Sequence, residues 1–119
     1  MGHGTKSLHR WNAVSFRDKS NLWACKATIR SVLPDAKLVL YGSRARGDAE
    51  PESDFDLLVL VPAPVSQATL QKLSDAIYDV ELERGIVVSC LVCSDEEWNS
   101  SPWRVSPFRV NVEREGIVL

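Results

Sequence analysis

Gly42-Ser43-Arg44-Ala45-Arg46-Gly47-Asp48-Ala49-Glu50-Pro51-Glu52-Ser53-Asp54-Phe55-Asp56-Leu57 is the stretch whose reading decides the fold. Short apolar runs flank it, Lys37 to Tyr41 on one side and Phe55 to Val61 on the other, and both read as buried strands. Gly42 to Pro51 is then a polar connection between them. Gly42 follows the first strand directly, and Ser43 is placed to open a helical turn. Free N–H groups at such a turn point outward with partial positive charge, so a phosphate fits there. Lacking a Cβ, Gly42 lets that phosphate approach the backbone. Arg44 and Arg46 carry guanidinium forks that match phosphate oxygens, or else they pair with Asp48, Glu50 or Glu52 and fix the loop. The alternatives weigh equally for Arg44; the structural one leads for Arg46.

Asp54 and Asp56 stand two residues apart at the start of the second strand. The strand period puts both side chains on one face, with Cα atoms about 6.6 Å apart, and predicts both carboxylates close to the Ser43 hydroxyl. Carboxylates so placed repel each other unless a divalent cation lies between them. Mg²⁺ (or Mn²⁺) suits this set, because it takes one or two carboxylates plus phosphate oxygens and waters. Asp54 and Asp56 are therefore candidate metal ligands and catalytic residues, with Gly42, Ser43 and Arg44 as the candidate phosphate-binding set.

Outward from this centre, Asp18 to Leu33 reads as an amphipathic helix with Leu22, Cys25, Ala27, Ile29, Val32 and Leu33 near helical spacing, ended by Pro34. Ser66 to Arg84 reads as a second helix. Ser66 is its N-cap, Gly85 its C-cap, and Leu70, Leu73, Ile77, Val80 and Leu82 face inward. Ile86 to Val92 is a third strand, and Ser94 caps a short helix through Asp95-Glu96-Glu97-Trp98. Pro107 to Gly116 is a last helix, with Ile117 to Leu119 as a terminal strand or packing arm. The predicted fold is α/β (α+β), a mixed sheet with flanking helices in one domain spanning 18–119. Residues 1–17 read as a leader, partly of added-tag character.

Bulk properties narrow the partners. Sixteen acidic residues against fourteen basic give a net charge of −2, which argues against a protein living on bulk nucleic acid or an anionic membrane. No run approaches the ~20 apolar residues of a membrane span, and the N-terminus has no secretory apolar region. Three cysteines, an odd count without a signal, fit a reducing cytoplasm.

At Gly42-Ser43, Arg46-Gly47 and Ser53-Asp54-Phe55-Asp56-Leu57 the chain resembles the nucleotidyltransferase superfamily of DNA polymerase beta, in its minimal single-domain branch. The resemblance covers about Leu38 to Leu119. It implies metal-dependent transfer of a nucleoside monophosphate, AMP from ATP, to a hydroxyl with release of pyrophosphate. By position, Gly42 and Ser43 would hold the triphosphate, and Asp54 and Asp56 the Mg²⁺. The acceptor would be a hydroxyl of a protein or small molecule, reached beside a small helical partner protein. Such domains usually carry a third acidic residue on the next core strand, where this chain has Ser89. That departure implies slow transfer with intact triphosphate binding, and leaves a nucleotide-binding regulatory module, or a partner-binding protein that kept only the fold, as alternatives. Glu81 and Glu83 are predicted to lie nearby on a helix and not to take the vacant role.

Other chemistry-bearing residues read blandly. Cys90-Leu91-Val92-Cys93 resembles a redox or zinc motif, but positions three apart on a strand point to opposite faces, so core packing is expected. Trp11, Trp23, Trp98 and Trp103 could stack a nucleobase, and dispersed tryptophans more often pack. His3 and His9 fall in the leader.

Overall fold

The computed structural model describes residues 10–119; His3 and His9 lie outside them. A helical turn over 10–13 leads into α1 (Phe16–Val32), followed by β1 (Lys37–Tyr41), α2 (Ser43–Arg46), β2 (Phe55–Val61), α3 (Gln67–Arg84) and β3 (Val88–Ser94). The chain ends with α4 (Asp95–Trp98), a 3₁₀ turn (Trp103–Val105), α5 (Pro107–Glu115) and β4 (Ile117–Val118). The strands form one mixed sheet in the order β3-β2-β1-β4. β1 pairs antiparallel with β2 and β4, and β2 pairs parallel with β3 through the α3 crossover. This is the α/β sandwich that the alternation of apolar runs predicted.

Caps set the helix ends. The Ser15 hydroxyl accepts from the Asp18 N–H at 3.1 Å, Ser66 from Thr69 at 3.2 Å, and Ser106 from Arg109 at 3.1 Å. Ser94 and Glu97 form a reciprocal capping box at α4. Gly85 closes α3 in the left-handed conformation.

The strand period divides the core. Phe55, Leu57, Val59 and Val61 pack under α1 and α3 with Leu22, Cys25, Ile29, Leu73, Ile77 and Val80. Leu58 and Leu60 point to the other face, against Val39, Cys93, Trp98 and Val112. Asp56 shares the parity of Leu58, so its carboxylate faces that second side. Among the described residues, no helix is long and apolar enough to cross a membrane.

Two sequence expectations shift here. β3 begins at Val88 rather than Ile86, because leaving α3 consumes those residues: the Ile86 N–H bonds the Glu81 carbonyl, and the Val87 carbonyl accepts from the Phe55 N–H at 2.9 Å. Leu82 and Ala27 are exposed rather than inward. Each lies two residues from a core position (Val80, Cys25), and about 200° around a helix is the opposite face.

Gly116 joins α5 to β4 with no room to spare. A Cβ there would lie 2.4 Å from the Val112 carbonyl oxygen and 2.7 Å from Val39 Cγ1. Gly116→Ala is therefore expected to lower stability by about 1–3 kcal/mol, as overpacking does. An unchanged urea midpoint would show that α5 can lift freely off the sheet.

Candidate functional site

The site forms where the C-terminal end of β1 meets the N-terminal end of β2. Register sets Tyr41 opposite Asp56 on one side and Ser89 opposite Asp56 on the other. Tyr41, Asp56 and Ser89 thus stand in a row across one sheet face. Asp54 precedes β2, and its Oδ2 accepts a hydrogen bond from the Ser89 hydroxyl at 3.3 Å. Both aspartates therefore reach the face that Ser89 occupies.

Gly42 completes the row. Its backbone has φ 77 and ψ −160, a region essentially reserved for glycine. A Cβ on Gly42 would lie 2.3 Å from Asp56 Oδ2, so the glycine turn is pressed against the carboxylate. The turn closes on itself: the Gly42 carbonyl accepts from the Ala45 and Arg46 N–H groups at 3.0 Å each, and the Ser43 carbonyl from Gly47 at 2.9 Å. Residues opening such a turn have no intrahelical acceptor for their own N–H groups. The N–H groups that open the turn thus lie close to the Asp56 carboxylate.

The electrostatics of the pair disfavour two negative charges side by side. Burial pushes the Asp56 carboxyl up from the ordinary range, and the neighbouring Asp54 charge pushes it further, with Arg46 opposing. An acid strained toward its neutral form is relieved by a positive ion. Among the described residues no cluster of three or more His, Cys, Asp or Glu side chains is present, so a divalent cation here would take the two carboxylates together with oxygens from outside the protein.

The arginines hold the loop. Arg44 donates to the Ser53 carbonyl at 2.8 and 3.2 Å, to the Pro51 carbonyl at 3.0 Å, and to both Asp18 carboxylate oxygens at 3.3 Å. Its guanidinium lies 4.4 Å from the centre of the Phe55 ring. These contacts engage the Arg44 donors within the chain. Arg46 pairs with Asp48 at 3.2 Å and with Glu115 at 3.1 Å, tying the loop to α5. Asp18 and Glu115 escaped sequence reasoning because they lie 26 and 69 residues from their partners. Tyr41 escaped it too; only the register shows it beside Asp56, where its ring meets Phe108 edge-on at 5.2 Å.

Glu81 accepts from the Val88 N–H at 2.8 Å and so secures the start of β3; Glu83 is exposed. Cys90 and Cys93 fall into the two different core clusters, on opposite sheet faces. Burial raises the Cys90 thiol to about 12 and the Cys25 thiol to about 11, so neither offers a thiolate ligand near neutrality. Trp98 and Trp103 pack on each other and on Phe108, and Trp11 packs on Trp23.

Gly42→Ala joins a forbidden backbone region to a clash with Asp56. The variant is expected to keep its fold and to lose at least about tenfold in affinity for Mg²⁺-ATP, since 1–3 kcal/mol of strain falls on the binding turn. Undiminished affinity by calorimetry would mean that the turn does not touch the nucleotide.

Comparison with known proteins agrees with this geometry. The family model of the nucleotidyltransferase domain matches residues 25–119. A Methanocaldococcus jannaschii protein, named as a candidate protein adenylyltransferase, is 36% identical over 84 residues, covering 70% of this chain and 76% of the relative. The bifunctional uridylyltransferase/uridylyl-removing enzyme of Bordetella pertussis is 40% identical over 65 residues, 52% of this chain but 8% of that enzyme. A crystal structure of a toxin–antitoxin with AMP-PNP superposes with a TM-score of 0.55 at 16% identity, over 80% of this chain and 68% of that one. That last likeness concerns the fold alone.

Proposed function

The chain belongs to the nucleotidyltransferase domain family, and from that premise we propose that it moves AMP from ATP to a hydroxyl acceptor in a divalent-metal-dependent reaction. The observation that carries this reading is the closeness of Gly42 to Asp56, whose Oδ2 would lie 2.3 Å from a Cβ there, beside Asp54, which Ser89 holds on the same face. Asp54 and Asp56 would hold Mg²⁺ or Mn²⁺, and Gly42 and Ser43 would hold the triphosphate. Arg44 serves the site by fixing the 51–53 backbone that carries Asp54. The metal, when bound, neutralises charge on the phosphates and favours in-line displacement at phosphorus.

The acceptor oxygen forms a bond to the α-phosphorus as the bond to the β-phosphate oxygen breaks, so pyrophosphate leaves and the hydroxyl proton passes to solvent. Ser89 holds Asp54 in place through its hydroxyl and offers no carboxylate to take that proton. The acceptor class follows the archaeal relative, whose name specifies protein adenylylation. We place the acceptor hydroxyl on a protein, with a small helical partner as the natural candidate beside a domain this small. ATP as donor and the free Cys25, Cys90 and Cys93 fit a cytoplasmic setting.

A second reading draws on Ser89 itself: a module that binds nucleotide and regulates a partner, with catalysis lost. Calorimetry with ATP in Mg²⁺ and in chelator tests the shared part. Equal affinities in both would remove the metal from the proposal. Release of pyrophosphate on adding candidate acceptor proteins then separates enzyme from module.

A further inference from the structure

We propose that the groove between α3 and β3 is a docking site for a basic amphipathic helix of a partner protein, an inference that stands whether or not the chain transfers AMP. The groove holds about 300 Å³, lined on one wall by Leu70, Leu73 and Ile77 of α3 and on the other by Val88, Cys90 and Val92 of β3. The strand period sends these three β3 residues to the helix-covered face, while Ser89 between them faces the aspartate pair. Apolar surface continues past the rim: Tyr78 and Leu82, one turn apart on α3, are 59% and 66% exposed. The α3 wall runs from Leu70 to Glu81, about 16 Å or three turns of helix.

The sheet edge beside the groove is closed to an added strand. The Val88 N–H donates to Glu81 Oε2 at 2.8 Å and the Ser94 N–H to Glu97 Oε1 at 3.1 Å, so carboxylates take the outward donors at both ends of β3. A helix bonds its own backbone and asks the groove only for apolar side chains, presented at i, i+3 or i+4, and i+7.

Charge selects the sign of that helix. From Gln67 to Trp98 seven acidic residues stand against two basic ones, a net −5 within a chain whose total is −2. Asp75 and Asp79 are exposed and one turn apart, on the side of α3 that carries Tyr78 and Leu82, and Glu81 lines the groove itself. Of the two bases, Arg84 is turned to α1, donating to Ser20 at 3.3 Å and Asn21 at 3.2 Å. Lys72 stands about 200° around the helix from Leu70, away from the groove. Lysine or arginine beside the partner's apolar stripe therefore meets carboxylates along the α3 rim, which speeds encounter and fixes register. A second copy of this chain would set the same acidic rim against itself, and nucleic acid or an anionic bilayer would be repelled by it.

Fluorescence anisotropy tests this with a labelled, helix-forming peptide of about 18 residues, long enough to span the groove. The peptide carries leucine at i, i+3, i+4 and i+7 spacing with lysine and arginine on both flanks. A second peptide keeps the leucines and replaces every lysine and arginine by glutamate. The basic peptide is expected to bind at least about tenfold more tightly than the acidic one, with an affinity that falls as salt rises. Reversing the rim with Asp75→Lys and Asp79→Lys together should weaken it by at least about tenfold. Tyr78→Ala, which removes apolar rim without touching charge, should weaken it by about tenfold. All three substitutions fall on exposed residues, and circular dichroism checks that the variants are folded. Amide shifts in NMR spectra should concentrate on residues 70–81 and 88–92. Absence of binding, or equal binding of the two peptides, overturns the proposal. Unchanged affinity in folded Tyr78→Ala, with shifts outside the groove, overturns it as well, since charge alone would then attract the peptide. A wild-type dimer in sedimentation equilibrium that Tyr78→Ala dissociates would give the groove to a second copy instead. None of these measurements needs ATP, so their failure leaves the nucleotidyl-transfer reading to its own test.

Discussion

Asp56→Asn is expected to lower nucleotidyl transfer by at least about 10³-fold while making the metal-free protein more stable at neutral pH. The first effect follows because an amide cannot neutralise a cation or balance charge in the transition state, and single electrostatic groups of this kind are worth about 10²–10³ in rate even without a metal. The second follows from the direction of the Asp56 shift, raised by burial and then by Asp54. A carboxyl whose folded pKa exceeds its unfolded value binds its proton longer in the native state. Its favourable contribution is complete below the unfolded pKa, about 3.9, and is lost as pH rises through the folded pKa. At pH 7 in chelator the wild-type chain therefore carries a half-buried Asp56 charge beside Asp54 that the asparagine variant lacks. Melting curves in chelator should converge near pH 3 and separate toward pH 7, with the variant higher. Adding Mg²⁺ and ATP should raise the wild-type melting temperature and leave the variant almost unmoved. A variant with the same melting temperature as wild type across that pH range, and with an undiminished response to Mg²⁺-ATP, would remove Asp56 from the site.

Local pattern made most of this fold legible. Both central strands stand where their apolar runs put them, Lys37–Tyr41 and Phe55–Val61, because nothing but a buried strand uses five to seven such residues between turns. Ser66, Ser94 and Gly85 marked helix ends because capping is a contact within three or four residues. Errors arose where a neighbour far along the chain decides. The start of β3 is set by its parallel register against Phe55, and no periodicity within 86–92 reports that. Leu82 is apolar yet exposed, since burial follows from what packs on α3 and not from residue type. The same limit governs the site. Gly42 and the aspartate pair could be read from spacing, whereas Tyr41 beside Asp56, Asp18 on Arg44 and Glu115 on Arg46 depend on sheet register and helix packing.

Ser89→Asp is expected to raise the rate of nucleotidyl transfer by about 10²–10⁴, the worth of a positioned general base, with little change in ATP affinity. The case rests on where the structure puts Ser89. It is the parallel-register neighbour of Asp56, exposed, and hydrogen-bonded to Asp54 Oδ2 at 3.3 Å. A carboxylate on this residue would stand beside both aspartates, with its oxygens projecting further from the sheet than the serine hydroxyl does. It would also lose the donor that now holds Asp54 and add a third negative charge to a pair that already repels. Without metal the variant should therefore melt lower than wild type, and with Mg²⁺ much of the difference should disappear. The two readouts separate catalysis from damage. A rate gain together with a metal-dependent recovery of stability identifies Ser89 as the place where a base is missing. Wild-type turnover near the ordinary enzyme median of about 10 s⁻¹ would mean that a base already reaches the acceptor from elsewhere. Glu81, committed to the Val88 N–H, is not that base.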